Sequence, residues 1–294
     1  MRILICLALA LLAVVPAIAE DATPDPQLRY NRDTYHPVVD ILKEKRGTVT
    51  DEQLESLKEM PLEAIWGAVQ SQGYLNCQYV GLKATRPDAR MVGRALTIRY
   101  LPRRPDLAEA MRQMAKAGDW SAGYHSRAAE DAKPGDVFVV DLGGEIEHGV
   151  FFGDVSALGA QMSGAVGAIL YGSTRDLGEL KEMPEFPVFA EGFHPNGAHQ
   201  IGVDWNTPVR VGGVTVLPGD VVVAEEEAVL FFPPHIAGAV IERARAKVAK
   251  ENFERTLLRQ KKFRFRDVYP LNAALQKIYE ELRQVNQEQE KASE

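Results

Sequence analysis

The chain has 294 residues, and 41 acidic against 34 basic side chains give it a formal charge of −7. A protein this acidic has no field-level attraction for nucleic acid or anionic lipid, so anionic ligands must be met by local cations or a metal. Arg2, the apolar run Ile3 to Val15, Pro16 and the small-x-small triplet Ala17-Ile18-Ala19 read as a signal peptide cleaved after Ala19, which implies a periplasmic or secreted protein.

The apolar run is short and is followed at once by Glu20 and Asp21, which does not suit a membrane-spanning helix. Cys6 lies inside the run and not after it, which argues against lipoprotein acylation. Cleavage leaves Cys77 as the one cysteine, so no intrachain disulfide is expected.

Residues 20–50 read as an extended leader, rich at first in Pro, Asp and polar side chains. From Asp51, the spacing of Leu54, Leu57, Leu62, Ile65, Trp66 and Val69 predicts two short helices split at Pro61. Arg90 to Tyr100 alternates as a strand does. Helices are expected over Leu107 to Ala117 and Ser121 to Ala132. Pro134-Gly135-Asp136 before Val137–Val140, and Pro218-Gly219-Asp220 before Val221–Val223, predict type II turns that launch buried strands. Between them come a short strand over Val150 to Phe152, a helix over Val155 to Gly164, and buried strands over Ala165 to Tyr171 and Phe186 to Ala190. Strand, helix, strand is a crossover unit and implies a largely parallel sheet.

Hairpin-like stretches at Val209–Val216 and Val221–Phe232 complete the sheet. A helix from about Ile236 to Lys262 follows Pro233-Pro234, and an amphipathic helix spans about Leu271 to Val285. The expected architecture is therefore one α/β domain over 51–250 with helical extensions, the last over 251–294.

Three charged residues are brought together by the crossover. Asp154 starts the helix, and a ten-residue helix of ~15 Å followed by a seven-residue strand of ~23 Å returns Arg175 and Asp176 to the helix start. That edge, outside the carboxyl ends of the strands, is where open α/β sheets bind ligands. The amides of Val155 and Ser156 lack partners within the helix and suit a carboxylate. Arg175 offers a planar fork to the same anion or a neighbouring carbonyl, and Asp176 or Asp154 an oxygen ligand for Mg²⁺ or Mn²⁺. Read one at a time, Arg-Asp after a strand is an ordinary ion pair, and Asp154 an ordinary N-cap.

The joint spacing carries more. Asp154, twenty residues, Arg175-Asp176, two residues and Glu179 resemble the D-x20-R-D-x2-E/D signature of the 4-hydroxy-4-methyl-2-oxoglutarate aldolase family, also called RraA-like. Met91 to Thr97, Pro134 to Asp141, Pro187 to Ala190 and Pro218 to Pro233 are similar to further segments of that family. The resemblance implies a swivelling β/β/α sandwich, assembled as a homotrimer or hexamer with sites at subunit edges. It also implies a divalent-metal-dependent lyase that releases pyruvate from small 2-oxo acids, by retro-aldol cleavage or oxaloacetate decarboxylation. On the same basis Asp176 would be the metal ligand, Arg175 would polarise the pyruvyl oxygen, and Val155 and Ser156 would hold the carboxylate. Asp154 would orient a metal-bound water, and Glu179 would complete the signature.

The chain departs from the family pattern in places. Tyr171-Gly172-Ser173-Thr174 replaces a more usual segment, Trp66 stands at an expected Asp, and Glu225-Glu226-Glu227-Ala228 stands for an acidic turn. In that turn Glu225 or Glu227 is the candidate for a carboxylate lent to a neighbouring subunit.

Other motifs are absent or weak. There is no P-loop, no G-x-S-x-G elbow and no dinucleotide fingerprint. His194 and His199, split by Pro195, Asn196 and Gly197, do not form a convincing metal pair, and Gly159, Gly164 and Gly167 read as packing positions. Arg259 to Arg266 reads as a solvated helix end or an oligomer contact. The rival function is a non-catalytic RraA-like regulatory or ligand-binding protein of the periplasm.

Overall fold

The computed structural model describes residues 42, 44–116 and 124–293. The expected signal peptide, nearly all of the leader up to residue 41, and the start of the helix expected at Ser121 lie outside the described residues. The chain divides into two units, Met1–Glu44 and Lys45–Glu294, and every element named here belongs to the second.

Pro61 separates two helices as expected. Helix α1 (Asp51–Lys58) opens with a capping box, in which Thr50 Oγ1 accepts from Gln53 N and Gln53 Oε1 accepts from Thr50 N. Helix α2 (Leu62–Ser71) follows, with Pro61 at its N-cap. Two short edge strands come next, β1 (Gln78–Tyr79) and β2 (Lys83–Ala84), before the long strand β3 (Met91–Leu101). Helices α3 (Pro105–Lys116) and α4 (Tyr124–Asp131) lead into β4 (Asp136–Asp141). Then come α5 (Asp154–Met162), β5 (Gly167–Thr174), the single-turn α6 (Leu177–Lys181) and β6 (Val188–Phe193). The sheet strands end with β7 (Ile201–Trp205), β8 (Val209–Val211), β9 (Val214–Val216), β10 (Val221–Ala224) and β11 (Val229–Phe232). Helices α7 (Ala237–Arg259), α8 (Phe265–Val268) and α9 (Ala273–Ser293) close the chain.

The large sheet runs β1-β11-β10-β3-β4-β5-β6-β2, with β7 also paired to β3. Only β3-β4-β5-β6 are mutually parallel; every other pairing is antiparallel, so the sheet is mixed where a largely parallel one was expected. The cause is local. The second Pro-Gly-Asp turn launches a hairpin, and its first arm, β10, lies antiparallel on β3.

Both turns have the predicted geometry, with Gly135 at φ +86 and Gly219 at φ +77. In each, the Asp carboxylate accepts from the amide three residues earlier, Lys133 N at 2.8 Å and Leu217 N at 2.7 Å.

Strand alternation sorts the core into layers. One face of the sheet buries Phe138, Val140, Leu170 and Val188 against α4, α5 and α6. Further along the same face, Val221, Val223, Leu230 and Phe232 pack on α1, α2 and α7. The opposite face buries Val137, Val139, Ile169 and Phe189 against the β8–β9 hairpin. Hairpin, sheet and helices form the expected β/β/α layering. Each fully buried side chain of this size contributes roughly 1.5–3 kcal/mol.

Candidate active site

The site forms where β5 ends. The expected strand at Val150 to Phe152 is a single parallel bridge, Val150 to Ser173, because the stretch is pinned between Gly149 and the start of α5 at Asp154. Its bonds are nonetheless firm. Ser173 N donates to Gly149 O at 2.9 Å and Phe151 N to Ser173 O at 3.1 Å. Arg175 N donates to Phe152 O at 3.3 Å, and Thr174 Oγ1 to the same oxygen at 2.8 Å. These contacts place the entry to α5 beside the exit from β5, as the crossover geometry required.

The closest approach is between Gly153 and Asp176. A Cβ built on Gly153 would lie 1.9 Å from Asp176 Oδ2 and 2.9 Å from Arg175 Nε, so only glycine leaves room for this carboxylate. Gly153, not Asp154, is the N-cap of α5, which corrects the expectation that Asp154 caps it. Asp154 is the first helical residue. The first bond within the helix is Ala157 N to Gly153 O at 3.0 Å, so the amides of Asp154, Val155 and Ser156 have no acceptor inside it. The helix dipole adds to their pull on an anion.

Asp176 occupies the left-handed region, φ 57 and ψ 43, at the N-cap of α6, yet its side chain does not cap that helix. It turns instead toward Gly153 and accepts from Arg175 Nε at 3.3 Å through Oδ2. Its Oδ1 has no partner among the described residues. Arg175 and Asp176 are both partly exposed. The Asp154 and Glu179 carboxylates make no hydrogen bond or ion pair with any described residue, and Glu179 stands exposed on the first turn of α6.

The structure therefore brings Asp154, Val155, Ser156, Arg175 and Asp176 to one edge, with Glu179 on the adjoining turn. It does not bring Glu225 there. Glu225 pairs with Arg90 at the far end of the sheet, and Glu226 and Glu227 are exposed beside it. Trp66, at the position of an expected Asp, is partly buried in the α1/α2/α7 core, and its Nε1 has no partner among the described residues.

Two features were missed from sequence. Gly153 is one; a glycine directly before the helix-opening acid was its only signal. The other is His194, whose amide donates to Thr174 O at 2.9 Å and so sits beside the Arg175-Asp176 pair. The rings of His148 and His199 meet at 5.4 Å on loops at the same edge.

A hard divalent cation fits this donor set. Among the described residues, Asp154 and Asp176 offer carboxylate oxygens at this edge, and magnesium keeps most of its own water, so one or two carboxylates suffice. Among the described residues, no three His, Cys, Asp or Glu side chains converge as a protein-only cage.

A nine-stranded mixed sheet with a carboxylate, an arginine and a helix start gathered at the ends of its parallel strands defines an α/β protein. Residues 48–231 match the RraA-like family (Aldolase/RraA), and the chain belongs to that family. It is 30% identical over 112 residues to the 4-hydroxy-4-methyl-2-oxoglutarate aldolase of Thermus thermophilus, an alignment covering 38% of this chain and 68% of that one. It spans 59%, 23% and 51% of the lengths of three further relatives. Two solved structures share the fold. An uncharacterized protein from Pseudomonas syringae superposes with a TM-score of 0.64 at 20% identity, over 77% of this chain and 97% of that one. Streptomyces coelicolor RraAS2, an unusual member of the RNase ES inhibitor RraA protein family, gives 0.60 at 24%, over 71% and 98%.

Proposed function

We propose that this protein is a divalent-metal-dependent lyase that releases pyruvate from small 2-oxo acids, exported after removal of residues 1–19. The approach of Asp176 to Gly153 carries the reading, because it joins a carboxylate and a guanidinium to the free amides of α5. The substrate carboxylate is held by the Val155 and Ser156 amides, and Arg175 donates to the 2-oxo oxygen, where negative charge develops as the bond breaks. Asp176 would hold Mg²⁺ or Mn²⁺, which would supply electrophilic stabilisation of that same charge. In retro-aldol cleavage the 4-hydroxyl loses a proton and C3 gains one. Asp154, at the helix start and without a partner among the described residues, would move that proton. Glu179 adds negative charge at the rim.

Helix α5 also exposes Val155 at 77%, Leu158 at 50% and Met162 at 73% next to the site. Such a face suits a second copy of the chain, in keeping with a homotrimer or hexamer whose sites lie at subunit edges. Glu225 or Glu227 would reach a site only across such a contact.

The test is pyruvate release from oxaloacetate and from 4-hydroxy-4-methyl-2-oxoglutarate, with Mg²⁺, with Mn²⁺ and with EDTA. Asp176→Ala and Arg175→Ala should each lower the rate about a thousandfold with the fold intact. Unchanged rates in both variants would sink the lyase. The kinship with a ribonuclease inhibitor family favours a second reading, a non-catalytic protein using the same anion site. Pyruvate binding without turnover under any metal would replace the first reading with this one.

A further inference from the structure

Beyond the family match, which ends at residue 231, a basic and aromatic run leads from α7 into α8. Five of the eight residues 259–266 are Lys or Arg, none is acidic, and Phe263 and Phe265 alternate with them. The chain leaves α7 after Arg259 and turns at Lys261, which has φ +58. The single turn of α8 follows, closed by Tyr269 N donating to Phe265 O at 2.9 Å.

This turn is anchored from one side only. Val268 is fully buried with Leu257 of α7 and Leu275 of α9 in a small core. Residues 259–266 are all exposed, and three rings stay outside that core, Phe263 at 37%, Phe265 at 64% and Tyr269 at 56% exposed. The charges are also uncommitted. Asp267, the one acid of residues 259–269, is held by Arg264 at 2.7 Å and drawn on by Arg266. Arg259, Lys261 and Lys262 make no hydrogen bond or ion pair with any described residue. The acids of the adjoining cleft are engaged elsewhere, Glu63 by Lys247, Glu251 by Arg255, and Glu254 by the pull of Lys250 and Arg255.

Cations and rings on one exposed turn match the chemistry of an anionic membrane surface. Aromatic side chains settle at the boundary of headgroup and acyl chain, and each nearby Lys or Arg adds attraction to anionic lipid. The chain's charge of −7 opposes approach from afar. Within a Debye length of about 8 Å the local surplus decides. A polynucleotide fits less well, because it needs a basic track. The helices on either side of the turn carry Glu251, Glu254, Glu280 and Glu281 instead. A flat bilayer needs to touch the turn alone. No described helix is long and apolar enough to cross a membrane, so the contact is peripheral.

We propose that residues 259–269 dock the protein on the surface of an anionic phospholipid bilayer. Phe263, Phe265 and Tyr269 enter the interface, and Arg259, Lys261, Lys262 and Arg266 meet the headgroups. This docking is independent of the lyase reading.

Co-sedimentation of the mature protein with large vesicles tests it, comparing phosphatidylcholine alone with phosphatidylcholine mixed with phosphatidylglycerol. The protein should pellet with the mixed vesicles, stay in solution with the neutral ones, and be released by added NaCl. Lys261→Gln combined with Lys262→Gln should weaken the partition about thirtyfold. Phe265→Ala should weaken it about tenfold. Both changes are at exposed positions, so melting temperatures should stay at the wild-type value. No partition into the mixed vesicles, or wild-type partition in both variants, would overturn the proposal. Wild-type binding to single-stranded RNA but not to vesicles would overturn it in favour of a polynucleotide site. Dissociation of an oligomer by the double lysine change, with no vesicle binding by the wild type, would overturn it in favour of a subunit contact.

Discussion

The two ends of the parallel strands treat charge in opposite ways. At the amino ends, charged groups are matched within the chain. Arg46 pairs with Asp220, Arg94 with Asp51, and Arg90 with Glu225, while Asp136 and Asp220 also cap their own turns. At the carboxyl ends, Asp154 and Glu179 have no partner among the described residues, three α5 amides have no acceptor within the helix, and Asp176 forgoes capping α6. The first arrangement is what stability alone would select. The second leaves favourable bonds unmade, which is how a ligand site differs from scaffold.

The contrast can be broken first at its structural end. Arg46 and Asp220 are both nearly buried, with side chains 10% and 7% exposed. Arg46→Ala strands a buried carboxyl and should cost about 4 kcal/mol in urea unfolding, with pyruvate release unchanged in the protein that remains folded. A loss below about 1 kcal/mol would show the pair to be dispensable.

The same pair gives a pH signature. Burial raises the Asp220 carboxyl from 3.8 to about 6, against the pull of Arg46 and the Leu217 amide. The folded protein then holds this proton where the unfolded chain has released it, so stability should fall as pH rises from about 4 to about 6 and be flat above. Asp220→Asn should flatten the slope, as read from melting temperatures across the window.

The functional end is sharpened by Gly153→Ala. The added methyl would occupy the place of Asp176 Oδ2, and the partly exposed carboxylate would swing away. A displacement of this size costs about a hundredfold in rate, while loss of a glycine N-cap changes stability by less than about 1 kcal/mol. A large drop in melting temperature with normal turnover would invert the assignment of the two ends.

Much of this was legible in sequence, and the reasons differ by element. Helical periodicity and Pro61 gave the first two helices, and Pro-Gly-Asp gave both turns, because those features act within a few residues. The meeting of Asp154 with Arg175 and Asp176 followed from rise per residue across one crossover. What escaped depended on neighbours distant in sequence. The mixed pairing of the sheet is set by where the hairpin β10–β11 docks, and the approach at Gly153 is set by a carboxylate more than twenty positions away. The neighbour contact of His194 is likewise made across strands, between β5 and the end of β6.

The left-handed backbone of Asp176 has a consequence for anyone engineering this protein. A side chain held at positive φ is strained by something like 1 kcal/mol relative to glycine. A screen that rewards thermal tolerance alone would therefore favour Gly at this codon, and under the proposed lyase reading the resulting clone would be sturdier and inert. Heat resistance and turnover pull that single position in opposite directions, so libraries built here need both read-outs from the first round.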